Sequence, residues 1–365
     1  LNGISGAAKA FRELIIDYGL MKSAKFFKSF GFLLPLALLS SFLYSQSSMF
    51  GERYAVIVGG IGGQLEFTEK FLQQTSRMYN LLVERFDYEP DKIIYLFEKP
   101  ELDSAKIDLQ ATAENVRKAF RQVAAAMKEN DQLFVFLAGH GSYDGDWAKF
   151  NLVGADLRDI DFAQLLNSLP TPKIIFVNAA SASGPFVERL SAPQRVIVTA
   201  TKSGHERFAA NFADFFLDAL SSEEADVNKD RRISLSEAFN FAKTNQDKWF
   251  EAQRRIRAEH PLLDDNGDGK GSQTLDGTPD GQFASSVYLG PLSAEWQAVA
   301  QKAHSGQASP TEKLLLEKLA LEQQIEDLKA RKAQMAPEDY SRQFETLLVR
   351  LAKLNKEIKE KSAGN

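Results

Sequence analysis

The chain has 365 residues, 44% of them hydrophobic and 25% charged, enough to bury one large core with appendages attached. A net charge of -5 excludes the broad basic surface that binds nucleic acid irrespective of sequence. Cysteine is absent, which excludes disulfides, thiolate metal sites and catalysis by a cysteine nucleophile.

The first pattern along the chain is a targeting segment. Met21, Lys22, Lys25 and Lys28 precede an apolar stretch from Phe30 to Leu43, with small residues following at Ser45 and Ser47. This is the layout of a secretory signal, cut near Ser47, and it predicts a secreted or periplasmic mature chain. Gly31, Pro35 and Ser40 interrupt the stretch, and it falls short of the ~20 residues of a membrane span, so an anchor over residues 29 to 46 is the alternative. Residues 1 to 20 are set aside together with the signal, giving a first segment of 1 to 48.

Residues 49 to 290 read as one α/β domain. Arg53 to Val58 form a buried strand that runs into Gly59, Gly60, Gly62 and Gly63. The glycines lack the frame and the lysine of a phosphate-binding loop, so a tight turn is their predicted role. Phe71, Thr75, Met78, Leu82 and Phe86 recur at helical spacing over 68 to 86, and a second strand covers Lys92 to Phe97. A helix at about 111 to 128 leads to the apolar run Leu133 to Ala138, and a helix near 159 to 168 leads to Ile174 to Asn178. A fifth strand follows at 195 to 201, then a helix at about 208 to 220. The runs lack period-two alternation, which is the mark of strands covered on both faces, so a mostly parallel sheet with helices on both faces is predicted. SerSerValTyrLeu at 285 to 289 is read as a returning last strand.

Two of these strands end in residues that carry chemistry. The run at 133 to 138 continues into Gly139, His140 and Gly141, and the run at 174 to 178 into Ala179, Ala180, Ser181, Ala182, Ser183 and Gly184. Functional groups of open α/β sheets collect beyond the carboxyl ends of strands, so His140 and Ser181 are expected to face one another there. The ordered pair resembles the His-Gly and Ala-Cys-x-Ser-Gly motifs of the caspase-like cysteine peptidases (clan CD), and most closely their legumain branch. ValThrAlaThr and LysSerGlyHisGluArg at 198 to 207 resemble the next strand and specificity loop of that branch. The resemblance covers about residues 53 to 220 and departs at the nucleophile, where Ser181 replaces cysteine. It implies a caspase-like fold, with His140 as the proton-transfer residue, Gly141 as a backbone donor to an oxyanion and position 181 as the nucleophile.

A hydroxyl, unlike a thiol, needs a base in hydrogen-bond contact, itself held by a third group. Asp144 and Asp146 follow His140, but the sequence does not show that either orients it. The predicted function is an exported pseudo-peptidase that binds a polypeptide substrate or a protein partner; the alternative is a hydrolase working through a Ser181–His140 dyad.

Two acidic runs have the spacing of calcium loops. Residues 226 to 237 place Asp226, Asn228, Asp230, Ser234 and Glu237 at ligand positions of an EF-hand loop, with Arg232 offering its carbonyl. Arg231 stands where glycine is usual. Residues 264 to 276 repeat the spacing with Asp264, Asn266 and Asp268 but end on Leu275, so Asp276 or Asp280 would have to complete the shell. Structural Ca2+ is the predicted cofactor, and an acidic turn that caps a helix is the alternative for the first loop. After a linker at 291 to 310, leucines spaced three and four apart over 311 to 365, broken at Pro337, predict an antiparallel coiled-coil-like helical hairpin, read as a stabilising appendage or an oligomerising surface.

Overall fold

The computed structural model describes residues 51 to 363, apart from 209, 230, 291–298, 300, 301, 303–305, 331, 333 and 334. The segment read as a secretory signal, the loop residue Asp230 and most of the linker therefore lie outside the described residues. Among the described residues no helix is long and apolar enough to cross a membrane.

The first strand, β1 (Arg53–Gly59), lies near the middle of a seven-stranded sheet. Outward on one side it is followed by β2 (Ile93–Phe97) and the short β3 (Leu109–Gln110). On the other side come β4 (Gln132–Ala138), β8 (Ile174–Asn178), β9 (Arg195–Thr199) and β10 (Leu262–Asp264). All neighbours pair in parallel except β10, which runs against β9. Between β4 and β8 a separate antiparallel sheet forms from β5 (Gly141–Tyr143), β6 (Ala148–Phe150) and β7 (Leu157–Arg158).

The lack of alternation in the strands follows from burial on two sides. Ala55, Ile57, Phe134 and Phe136 enter one core, and Val56, Val58, Leu133, Val135 and Leu137 enter the other. The first core is closed by α1 (Leu65–Glu84), α5 (Phe212–Ser221) and α6 (Leu235–Ala252); the second by α2 (Ala113–Ala126), α3 (Asp159–Asn167) and α4 (Phe186–Leu190). Helix starts are set by local chemistry. The Thr112 side chain accepts from Asn115 N at α2, and Ser234 and Glu237 form a reciprocal capping box at α6. A mostly parallel sheet covered by helices on both faces is the caspase-like α/β architecture.

One predicted strand is overturned. Residues 284 to 286 form a single 3-10 turn, and Tyr288 makes only an isolated bridge to Ser234. The place beside β9 is taken by β10, antiparallel to it. Beyond the domain, α7 (Pro310–Ala330) and α8 (Pro337–Ala363) pack against each other, with Leu316, Leu321, Ile325, Leu328 and Leu354 buried and Arg350 paired to Glu317 at 2.7 Å.

Candidate active site

Register brings the site together. Gly59 pairs with Ala138 and Leu137 with Asn178, so β1, β4 and β8 end side by side. The chain leaves β4 through Gly139 and His140 into β5, and leaves β8 through a turn begun by Asn178, whose Oδ1 accepts from Ala180 N at 3.1 Å. Ser181 is therefore set against the start of β5. Its Oγ accepts from Gly141 N at 3.1 Å and donates to Gly141 O at 3.2 Å. A side chain at Gly141 would run into the backbone oxygen of Ser181, so only glycine fits this close approach.

His140 is half-buried, its ring meeting Phe67 and Phe71 edge-on at 4.6 and 5.0 Å. Burial lowers its pKa, the nearby Gly62 backbone opposes that shift and the Lys70 ammonium adds to it. No hydrogen bond joins His140 to Ser181 among the described residues. Phe67 and Phe71 of α1 hold the ring, beside the glycine turn that precedes the helix; neither was identified from the sequence. The signal was the glycine run at the end of β1, whose closeness to His140 depends on strand order.

Asp144 does not orient the histidine. Its Oδ1 accepts from Asp146 N at 3.1 Å and Trp147 N at 2.9 Å, and it pairs with Lys149 at 2.7 Å, so it closes the turn between β5 and β6. The Lys149 ammonium and the two backbone donors hold its carboxyl well below the usual carboxylate range. Ser183 is structural as well. Its Oγ meets Thr201 Oγ1 at 3.2 Å and accepts from Thr201 N, pinning the turn after Ser181 to the end of β9. Glu206 is held rather than solvated. It accepts from Lys202 N at 3.0 Å and from His260 N at 3.1 Å and meets His260 Nδ1 at 2.5 Å, while its own carbonyl accepts from Ala182 N at 2.8 Å. Arg207 donates to Tyr143 O at 3.1 Å, joining the specificity-type loop to β5.

The residues proposed for metal lie away from this crevice. In the first loop Glu237 accepts from Val227 N, Asn228 N, Ser234 N and Ser234 Oγ, while Asp226 accepts from Arg231 N at 2.9 Å. Arg231 takes a φ of 65°, the left-handed conformation that the position demands of its usual glycine. Arg232 lies over the Tyr288 ring, 3.5 Å from its centroid. In the second loop Asp264 is buried, Asn266 is partly exposed and Asp268 is exposed. Among the described residues no three acidic or histidine side chains converge as a ready metal cage.

Fold and crevice together are similar to those of the caspase-like cysteine peptidases of clan CD, and the comparisons support that likeness. Residues 57 to 166 match the family model for the metacaspase, peptidase C14 domain, a stretch that includes His140 and stops short of Ser181. Metacaspase-7 of Arabidopsis thaliana is 27% identical over 181 residues, 46% of this chain and 43% of that protein. Metacaspase-3 of the same plant is 29% identical over 110 residues, 30% of this chain and 29% of its own length. The chain thus spans less than half the length of these curated relatives. Both are metacaspases, whereas the motif resemblance was closest to legumains.

Proposed function

We propose that this protein is a caspase-fold pseudo-peptidase, exported from the cell, that holds polypeptide or a partner protein in the crevice between the His140 and Ser181 loops without cutting it. The observation that carries the reading is the pairing of the Ser181 hydroxyl. Its hydrogen goes to Gly141 O and its oxygen takes Gly141 N, so the hydroxyl has no hydrogen bond to the imidazole that would have to deprotonate it. The same pairing occupies the Gly141 amide that the superfamily resemblance assigns to the oxyanion. Ser181 is also 2% exposed, which puts its oxygen out of reach of an incoming carbonyl unless the turn moves.

The walls suited to a peptide remain. Tyr143 stacks edge-on with His205 at 5.5 Å, and its ring lies so close to Gly204 that no side chain fits there. The 226–237 loop is proposed to hold a structural calcium ion, supported by its ligand spacing and the left-handed turn at Arg231. Export would supply the ion.

A peptide library presented to the full chain tests the reading. Retained peptides should elute intact, Ser181→Ala should retain the same set, and Arg207→Ala should weaken retention several-fold by freeing the 202–207 loop. Peptides that elute cut, with cutting lost in Ser181→Ala, would establish the dyad hydrolase instead.

A further inference from the structure

The turn that carries Ser181 contains a strained residue. Ala182 takes a φ of 54°, the left-handed conformation, which disfavours a residue with a side chain by roughly tenfold. Among the described residues Asp87, Lys229, Arg231 and Arg254 share that conformation but are exposed, and Gln194 is partly so, whereas Ala182 is 1% exposed. Strain of this kind persists only where the surroundings over-determine it.

The ties on the turn are of two kinds. Asn178 Oδ1 accepts from Ala180 N at 3.1 Å, and Thr201 Oγ1 accepts from Gly184 N at 3.0 Å. Both come from the sheet, at or just beyond the ends of β8 and β9, and neither acts on the strained residue itself. The tie on Ala182 comes from a loop instead: its N–H donates to Glu206 O at 2.8 Å. Glu206 is set in turn by its side chain. Oε2 accepts from Lys202 N at 3.0 Å and His260 N at 3.1 Å, and Oε1 lies 2.5 Å from His260 Nδ1. A carboxylate only accepts, so Nδ1 carries the proton of that bond. The two side chains are 13% and 22% exposed, which shields the pair from competing water.

We propose that Glu206 and His260 are positioning residues that latch the crevice: their pair holds Ala182 in its left-handed state and so keeps the Ser181 hydroxyl closed over the Gly141 amide. The latch rests on the reading of the crevice as a polypeptide site and names what governs its opening. Release of Glu206 frees Ala182 N, the residue relaxes to negative φ, and the side chain of Ser181 is carried off Gly141 with the loss of both its bonds. The N–H and C=O of Gly141 then become a donor and an acceptor for an extended backbone laid beside β5.

His260 is the fixed half of the latch. Glu259 before it holds Asn211 N and Phe212 N at the start of α5, and β10 after it is paired to β9. The moving half is therefore the 202–207 loop, which carries Glu206 and is exposed at Lys202, His205 and Arg207.

Hydrogen exchange of the unliganded full chain, read by mass spectrometry over segments 139–143 and 180–184, tests the latch. His260→Ala should raise exchange in both segments by roughly tenfold or more, while the interior of β4 stays within about twofold of wild type and reports an intact fold. His260→Asn, whose amide can donate from near the Nδ1 position, should keep exchange slow. Adding Ala182→Gly to His260→Ala should restore most of the protection, because glycine takes the left-handed conformation at no steric cost and the strain that drives opening is gone. Loosened packing would not be cured by removing a methyl group. Unchanged exchange in His260→Ala would overturn the proposal, as would a double variant that exchanges as fast as His260→Ala. These rates are measured without peptide, so their failure counts against the latch alone and leaves the reading of the crevice to the peptide-library test.

Discussion

Gly141 is the residue through which the crevice is built, since its amide and its carbonyl both belong to Ser181 and its missing side chain lets the two loops touch. Gly141→Ala should therefore cost more than about 2 kcal/mol in urea denaturation, the overpacking cost of forcing a methyl group against main chain. An unchanged midpoint would mean that the Ser181 loop can retreat freely. His140, Gly141 and Ser181 were legible in the sequence because each sits directly after a buried run that names its strand. Gly62, Phe67 and Phe71 were not, because their contact with His140 exists only once β1 and β4 lie side by side, and nothing local signals that order. The pinned state of Glu206 was likewise hidden, since its partner His260 lies 54 positions away.

Among the elements, every central strand could be read from apolar runs, while the short edge strands could not. Leu262 and Leu263 are too brief a run to distinguish from a loop, and the 285–289 segment resembled a strand because SerSerValTyrLeu has a β-rich composition, although it makes only an isolated bridge, from Tyr288 to Ser234. The joint between α5 and α6 makes a prediction of its own. Glu259, 2% exposed, accepts from Asn211 N at 2.9 Å and Phe212 N at 3.1 Å at the start of α5 and from Gln246 Nε2 of α6 at 2.8 Å. Burial pushes its pKa from 4.5 up to about 7, against the opposing pull of those donors. The folded state thus holds this proton more tightly than the unfolded chain. Its contribution to stability is full below pH 4.5 and is lost as pH rises to about 7. Urea denaturation across that window should show wild type losing stability relative to Glu259→Gln by up to ~3 kcal/mol. A difference that stays constant with pH would place the carboxylate's pKa at its ordinary value.

At the scale of the whole molecule, the sheet has the platform of the caspase-like fold, and Ser181 stands at its carboxyl edge where the resembling motif has cysteine. The loops around the crevice are cross-tied by Ser183 and Thr201, by Glu206 and His260, and by Arg207 and Tyr143. Such ties fix the loops around the crevice, and among the described residues no hydrogen bond joins the His140 imidazole to the Ser181 hydroxyl. Intact mass measurement after treatment with a fluorophosphonate probe tests this directly, since the probe reports whether a serine is nucleophilic whatever the natural ligand. The folded wild-type chain should carry no probe at Ser181 and match Ser181→Ala. One probe per chain, mapped to Ser181 and lost in both Ser181→Ala and His140→Ala, would contradict the account and make the protein a serine hydrolase on a caspase fold.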